Sequence, residues 1–315
     1  MKIKNKIIEF VKKETVLTAA MVLAVLSAVM IPPDNEYIGY IDFRTLAILF
    51  CLMTVMAGLQ KLGIFRKVAR ILLQHTHNVI ALAEILVLLC FFFSMLITND
   101  VALITFVPFT FTVLCLSGEE AVRKLAVPVV VLQTIAANLG SMLTPIGNPQ
   151  NLYLYGKIQM FPIAFIKLML PYSAVSLLFL LICTTVAAKH IGIAVRDVAG
   201  ALQAEDAGQE TAGWRRYLPV FYLILFLLCL LTVAHMIPYP VTLGIVDRTT
   251  IGKVDYSLLL TFVGFFIFIG NIGRMPAFCS FLQKIIEGRE VVTAVAASQV
   301  ISNVPAALLL SGFTS

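Results

Sequence analysis

Charged side chains are scarce in this sequence. Asp, Glu, Lys and Arg together supply 13% of its 315 residues, whereas 60% are hydrophobic and the mean hydropathy is +0.97. Soluble domains carry about 25% charge and 45–50% apolar residues. A large soluble helical core would also need a charged face on each helix, yet residues 15–31, 125–139 and 218–234 hold no charge at all. Such runs approach the ~20 apolar residues that cross about 30 Å of hydrocarbon, so the chain reads as an all-α polytopic membrane protein.

Reactive-site signatures are missing too. Six cysteines, Cys51, Cys90, Cys115, Cys183, Cys229 and Cys279, lie singly in apolar segments without CxxC spacing, as membrane-buried hydrophobes do. The four histidines, His75, His77, His190 and His235, sit at segment ends with no metal-ligand partner at helical spacing. No Ser/His/Asp set, Walker loop or GxGxxG is present, so neither an enzyme nor a cofactor is expected.

The net charge of +6 would suit nucleic acid, but its distribution argues against that partner. Lys2, Lys4, Lys6, Lys12 and Lys13 precede the first apolar run, and Lys61, Arg66, Lys67 and Arg70 follow the second, while residues 32–44 between them are mildly acidic. By the positive-inside rule the basic clusters mark cytoplasmic ends and the acidic loop is external. The N-terminus is therefore placed in the cytoplasm, and the first run, too long for a signal peptide and without a small-x-small cleavage site, is an uncleaved span. The bilayer is the expected partner.

What the chain does have is interruption. Residues 15–31 and 43–59 read as full spans, but the next apolar stretch divides at Thr98-Asn99-Asp100 into arms 85–97 and 101–116. At 1.5 Å per residue these arms measure about 20 and 24 Å, which favours a re-entrant hairpin over two crossings. A helix starting near Ala126, with Pro128 in its first turn, breaks at Gly140-Ser141-Met142-Leu143-Thr144-Pro145-Ile146-Gly147-Asn148-Pro149, and a short arm follows from Leu152. Residues 162–188, 218–236 and 256–272 are further spans, 189–216 is a polar connector, and 278–301 leads into a second break at Ser302-Asn303-Val304-Pro305.

Order repeats along the chain. Ile41-Asp42-Phe43 matches Val254-Asp255-Tyr256 at an offset of 213, and Asn99 matches Asn303 at an offset of 204. Duplicated halves with interrupted helices in register are the pattern of secondary transporters, whose sites lie at the repeat interface. The organisation expected is a first half over 1–189, with a hairpin at 84–117 and a broken helix at 126–160, a cytoplasmic connector over 190–216, and an incomplete second half over 217–315.

Each break has two readings. Asn99 or Asp100 could merely cap the following arm, and residues 138–151 could be a surface loop. Alternatively, freed carbonyls with the Thr and Asn oxygens hold a cation, and amides at the second arm's N-terminus face an anion. At depth, Asp100 would cost about 2.5–3.5 kcal/mol without a partner. Thr144, Gly147 and Asn148 would then face the hairpin tip, with Gly140 and Gly147 allowing close approach to an ion.

The segments ITNDVALITFVPF (97–109), NLGSMLTPIGNPQN (138–151) and ISNVP (301–305) resemble the citrate-transporter-like permeases of the ion transporter superfamily. That group includes divalent anion/sodium symporters, arsenite permeases and sodium/proton antiporters, and the likeness is strongest to bacterial inner-membrane permeases. The resemblance implies an inverted repeat, a homodimer with scaffold and moving transport domains, and a cation site beside the solute at Thr98, Asn99 and the segment from Gly140 to Asn148, with Ser302 and Asn303 at the second tip. Together with the breaks as read above, the candidate solute site is Thr98, Asn99, Asp100, Asn138, Gly140, Ser141, Thr144, Pro145, Gly147, Asn148, Ser302 and Asn303. Sodium would be held at Thr98, Asn99, Gly147, Ser302 and Asn303. The pattern also expects a crossing between His235 and Val254, where residues 237–246 are too few to span and without which the halves would share one orientation. It further expects a second broken helix beyond Ser315, so the chain reads as a fragment or defective copy.

The function expected is secondary transport of a small anion, of di- or tricarboxylate type, coupled to Na⁺ or H⁺. Because Asp100 stands where the symporters carry Thr, arsenite efflux and Na⁺/H⁺ antiport are the alternatives. A truncated, non-transporting membrane paralogue is the alternative of another class.

Overall fold

The computed structural model describes residues 9, 11–73, 78–189, 217–244 and 249–312; the expected connector over 190–216 lies outside them. Everything regular among these residues is helical: α1 (Thr15–Met30), α2 (Glu36–Tyr40), α3 (Phe43–Lys61), α4 (Ile64–Leu73), α5 (Val79–Ile97), α6 (Asn99–Ser117), α7 (Glu119–Ser141), α8 (Pro149–Ile158), α9 (Pro162–Lys189), α10 (Leu218–Val233), α11 (Tyr239–Gly244), a 3₁₀ turn (Ile251–Lys253), α12 (Tyr256–Gly273), α13 (Pro276–Ile286), α14 (Glu290–Ile301) and α15 (Asn303–Ser311). Six of them, α3, α5, α6, α7, α9 and α12, are long and apolar enough to cross a membrane. The protein is an all-α polytopic membrane protein.

Local chemistry sets the ends. Asp42 accepts the Thr45 N–H at 3.0 Å and Asp255 accepts the Leu258 N–H at 2.9 Å, both from nearly the same backbone conformation, φ/ψ −78°/83° and −77°/87°. A carboxylate there satisfies an orphan N–H and sits at the positive end of the helix dipole. The matched caps put the internal repeat into the structure.

The matched helices α3 and α12 run in opposite senses. Tyr40, two residues before Asp42, lies against Gly270 and accepts from Arg274 at 3.0 Å, whereas Phe50, further along α3, packs on Tyr256 with ring centroids 6.5 Å apart. The start of α3 therefore meets the end of α12, and the two are antiparallel. Helix α10 also opposes α3: Gly58 is covered by the Tyr222 ring, and Arg44 donates to the carbonyls of Thr232 and Val233, each at 3.2 Å. For the matched pair α3 and α12, the expectation of one shared orientation without a further crossing is thus corrected. Helix α12 starts level with the middle of α3, so a partial return through α11 and the 3₁₀ turn, both packed on α3, is enough.

Three boundaries also differ from the sequence reading. Both hairpin arms have 19 residues, about 28 Å each, because α5 begins at the Asn78 cap, which takes the Ala81 N–H at 2.7 Å; neither arm is too short to span. The broken helix begins at Glu119, which leaves Pro128 inside α7 instead of in its first turn. The apolar stretch 278–301 is two helices, parted where Gly288 adopts φ 70°.

Polar residues and glycines bind the hairpin to α7. Gln133 reaches from α7 to the Leu86 carbonyl (3.0 Å) on one arm and to Thr110 Oγ1 (2.7 Å) on the other. Gly140 touches the α5 backbone, since a Cβ there would sit 2.0 Å from the Phe91 oxygen. On the other side of the molecule α1 runs parallel to α12, with Gly264 against Ala20 and Asn271 donating to Ser27 Oγ (3.0 Å) and Tyr37 OH (2.8 Å). Gly140→Ala is expected to cost about 1–3 kcal/mol by overpacking, while Gly39→Ala, with nothing within 4 Å of its added carbon, leaves the melting temperature in detergent unchanged; equal melting temperatures for the two variants would show that the α5–α7 contact yields freely.

Candidate functional site

A single residue links the hairpin arms. Thr98 stands between α5 and α6 at φ 68°, ψ 152°, a region nearly reserved for glycine that costs about 1–3 kcal/mol and persists only when neighbours enforce it. The enforcement is visible. Asn99 N–H donates to the Gly147 carbonyl at 3.1 Å, Asn99 Nδ2 donates to Asn138 Oδ1 at 3.2 Å, and the Thr144 hydroxyl donates to the Met95 carbonyl. Capping by Asn99 or Asp100 is not what the structure shows: Thr98 holds the cap position and its side chain makes no capping bond.

The break between α7 and α8 is closed from inside. Asn151 Nδ2 is shared among the carbonyls of Ser141 (3.3 Å), Met142 (3.1 Å) and Thr144 (3.1 Å), groups that the end of α7 leaves without helical partners. Asn148 caps α8 through the Asn151 N–H at 2.8 Å and donates to Ser141 Oγ at 3.1 Å, and Pro149 occupies the first turn, where a missing N–H is harmless. Pro145, Gly147 and Asn148 are buried. Gly147 has a packing reason to be glycine, because a Cβ would meet the Ser141 carbonyl oxygen at 2.0 Å.

The fold therefore brings Thr98, Asn99, Asn138, Ser141, Thr144, Gly147 and Asn148 into one bonded cluster. Asn148 and Gly140 are taken up by structure: one caps, the other packs on α5. Asp100 is exposed on the first turn of α6.

The second tip repeats the first. Ser302 has φ 75°, ψ 161°, again without a side-chain cap, and Ser302 and Asn303 are exposed. Helix α15 lies along α8, where Ser311 bonds Tyr153 and Lys157. Asn303 opens α15, eight residues before Ser311.

One atom in this cluster is unused. Asn99 Oδ1 is buried and has no hydrogen-bond partner among the described residues, and a stranded buried acceptor costs about 1–3 kcal/mol. Neutral amide, hydroxyl and carbonyl oxygens suit a hard cation, so Thr98, Asn99 and Gly147 fit an alkali ion. Sequence reasoning missed Asn151 and Gln133. Asn151 was legible, since Asn-Pro-x-Asn is a cap followed three residues later by its bonded amide; the reach of Gln133 across two helices was not.

The family model described as a citrate transporter matches residues 7–313. The chain belongs to the citrate transporter family. Inner membrane protein YbiR of Escherichia coli is 30% identical over 285 residues, covering 87% of this chain and 72% of that protein. An uncharacterized transporter, MJ0456 of Methanocaldococcus jannaschii, is 28% identical, covering 88% and 73%. The silicon efflux transporter LSI3 of rice is 32% identical over 142 residues, 45% of this chain and 28% of its own length. This member of the citrate transporter family is a multi-pass membrane protein of transporter ancestry.

If Asn151 holds the break together, Asn151→Ala should take a shared donor from three carbonyls, of which Thr144 keeps the Gly147 N–H at 3.3 Å, and lower stability by about 2–4 kcal/mol, well beyond Asn148→Ala, which removes a cap worth about 0.5–2 kcal/mol. Thermal unfolding of both variants in detergent checks the ranking, and a milder loss for Asn151→Ala would reject the clamp.

Proposed function

We propose that this citrate transporter family member moves a small anion of di- or tricarboxylate type across a bacterial inner membrane, coupled to Na⁺ or H⁺, as a homodimer with a cytoplasmic N-terminus. The observation that carries the reading is the buried, unpartnered Asn99 Oδ1 beside the strained tip at Thr98. Thr98, Asn99 and Gly147 would hold the cation, and Ser302 and Asn303 would supply a second neutral oxygen set. The N-terminal N–H groups of α6 present the positive end of a helix dipole to an anionic group. A cation held beside them lowers the cost of taking the anion out of water, which couples the two.

Charge balance constrains the cycle. One elementary charge crossing 100 mV is worth about 2.3 kcal/mol, so a divalent anion entering an interior-negative cell needs two cations to avoid working against the potential. Two asparagine tips provide for two. In proteoliposomes, Asn99→Ala should lower citrate or succinate uptake at least tenfold and abolish its stimulation by a Na⁺ gradient; uptake that keeps both its rate and its Na⁺ dependence would overturn the assignment.

A second reading, proton-linked exchange or efflux, is favoured by Asp100, a carboxylate exposed on the first turn of α6 next to the tip, and a relative named for silicon efflux is in keeping with outward movement. Asp100→Asn should then flatten the pH dependence of exchange measured with an internal pH dye, and an unaltered profile would reject Asp100 as the titrating group.

A further inference from the structure

Helix α4 (Ile64–Leu73) has no part in the site above. It leaves α3 through Gly63, whose φ of 66° makes the sharp turn. Its residues then divide around the helix into three faces. Phe65, Ala69 and Leu73 are buried against the first hairpin: Phe65 meets Phe93 of α5 edge-on at 5.6 Å, and Phe93 packs on Phe106 of α6 at 5.0 Å. Ile71 and Leu72 point away from the protein, 60% and 47% exposed. Arg66 and Lys67 are exposed on the remaining arc and have no acidic partner among the described residues. Arg70 follows Arg66 by one helical turn in the sequence, and Lys61 ends α3.

A helix with one face on protein, a second bare and apolar, and a third basic fits a single orientation at a bilayer. It lies in the interface plane, its bare apolar face in the acyl boundary and its charges at headgroup level. Positive charge beside a span and without acidic neighbours is complementary to anionic headgroups, each Lys or Arg near such a surface strengthening attachment by a factor of about five. We propose that α4 is a binding site for anionic phospholipid, with Arg66 and Lys67 contacting headgroup phosphates, and that the bound lipid holds the first hairpin at a fixed height through the Phe65–Phe93–Phe106 contact. If the basic residues served topology alone, they would give the folded protein no choice among lipids.

The test is native mass spectrometry of the full chain in neutral detergent, equilibrated with equal amounts of phosphatidylglycerol and phosphatidylcholine. The wild type should retain phosphatidylglycerol preferentially, and R66Q/K67Q should lose at least tenfold of that preference; R66K and the distant K12Q/K13Q should keep it. A wild type without preference, or an R66Q/K67Q variant that retains it, overturns the proposal. A salt titration needs no variant: screening shortens from about 10 Å at 0.1 M to about 3 Å at 1 M, so the preference should collapse over that range, and a salt-insensitive preference would equally overturn it. Neither readout involves transport, so the outcome is separate from that of the proposed activity.

Discussion

Hydrocarbon offers no hydrogen bonds, and that constraint governs this protein more than any one contact. Wherever the chain stops being helical inside the membrane, the freed N–H and C=O groups must find protein partners or line a polar space. At the α7–α8 break the partners are internal: Asn151 serves three carbonyls, Asn148 caps the next helix, and Thr144 and Asn99 carry bonds across to the hairpin tip. The tip and the break satisfy one another. That mutual dependence explains why Thr98 can hold a conformation that an isolated hairpin would relax, and why the one acceptor left over at this tip, Asn99 Oδ1, stands out against a background in which nearly every neighbour is bonded.

Much of this was legible in the sequence because the same constraint writes itself into composition. Apolar runs located α1, α3, α9, α10 and α12, and Asn, Gly and Pro within apolar stretches located both tips and the break. Lengths were less legible. Helix α5 extends past Glu84 because Thr185 of α9 donates to that carboxylate at 2.7 Å and allows an acidic residue inside the helix, and Pro128 sits inside α7 because neighbouring helices support the turn it disturbs. A rule that ends apolar helices at charges and prolines therefore cuts both elements short. Relative orientation was beyond local pattern altogether, since the antiparallel pairing of α3 and α12 rests on Tyr40, Gly270, Phe50 and Tyr256, residues that come together only in the folded chain.

Close packing divides the molecule into two kinds of contact. Around the hairpin, α5, α6 and α7 are joined by Gln133 and by glycine-to-backbone approach at Gly140, contacts that specify geometry and give little under load. Between α3 and α10, and between α1 and α12, the joints are Arg44 on helix-terminal carbonyls and Asn271 on two hydroxyls. Helix α4 connects the end of α3 to the hairpin through aromatic rings, which slide more readily than backbone hydrogen bonds. A membrane transporter that shifts one unit against another needs this contrast between a stiff cluster around its site and a softer joint outside it.

The two tips are alike in backbone and unlike in charge. Thr98 and Ser302 differ by 7° in φ and 9° in ψ, but the residue after the asparagine is Asp100 in the first and Val304 in the second. The shared backbone follows from a shared constraint, since Thr98 and Ser302 each link two helices with no side-chain cap, and only the charge that follows differs. Under the proposed transport that asymmetry would let the two tips do different work, the first alone carrying a carboxylate that an incoming cation or proton can neutralise.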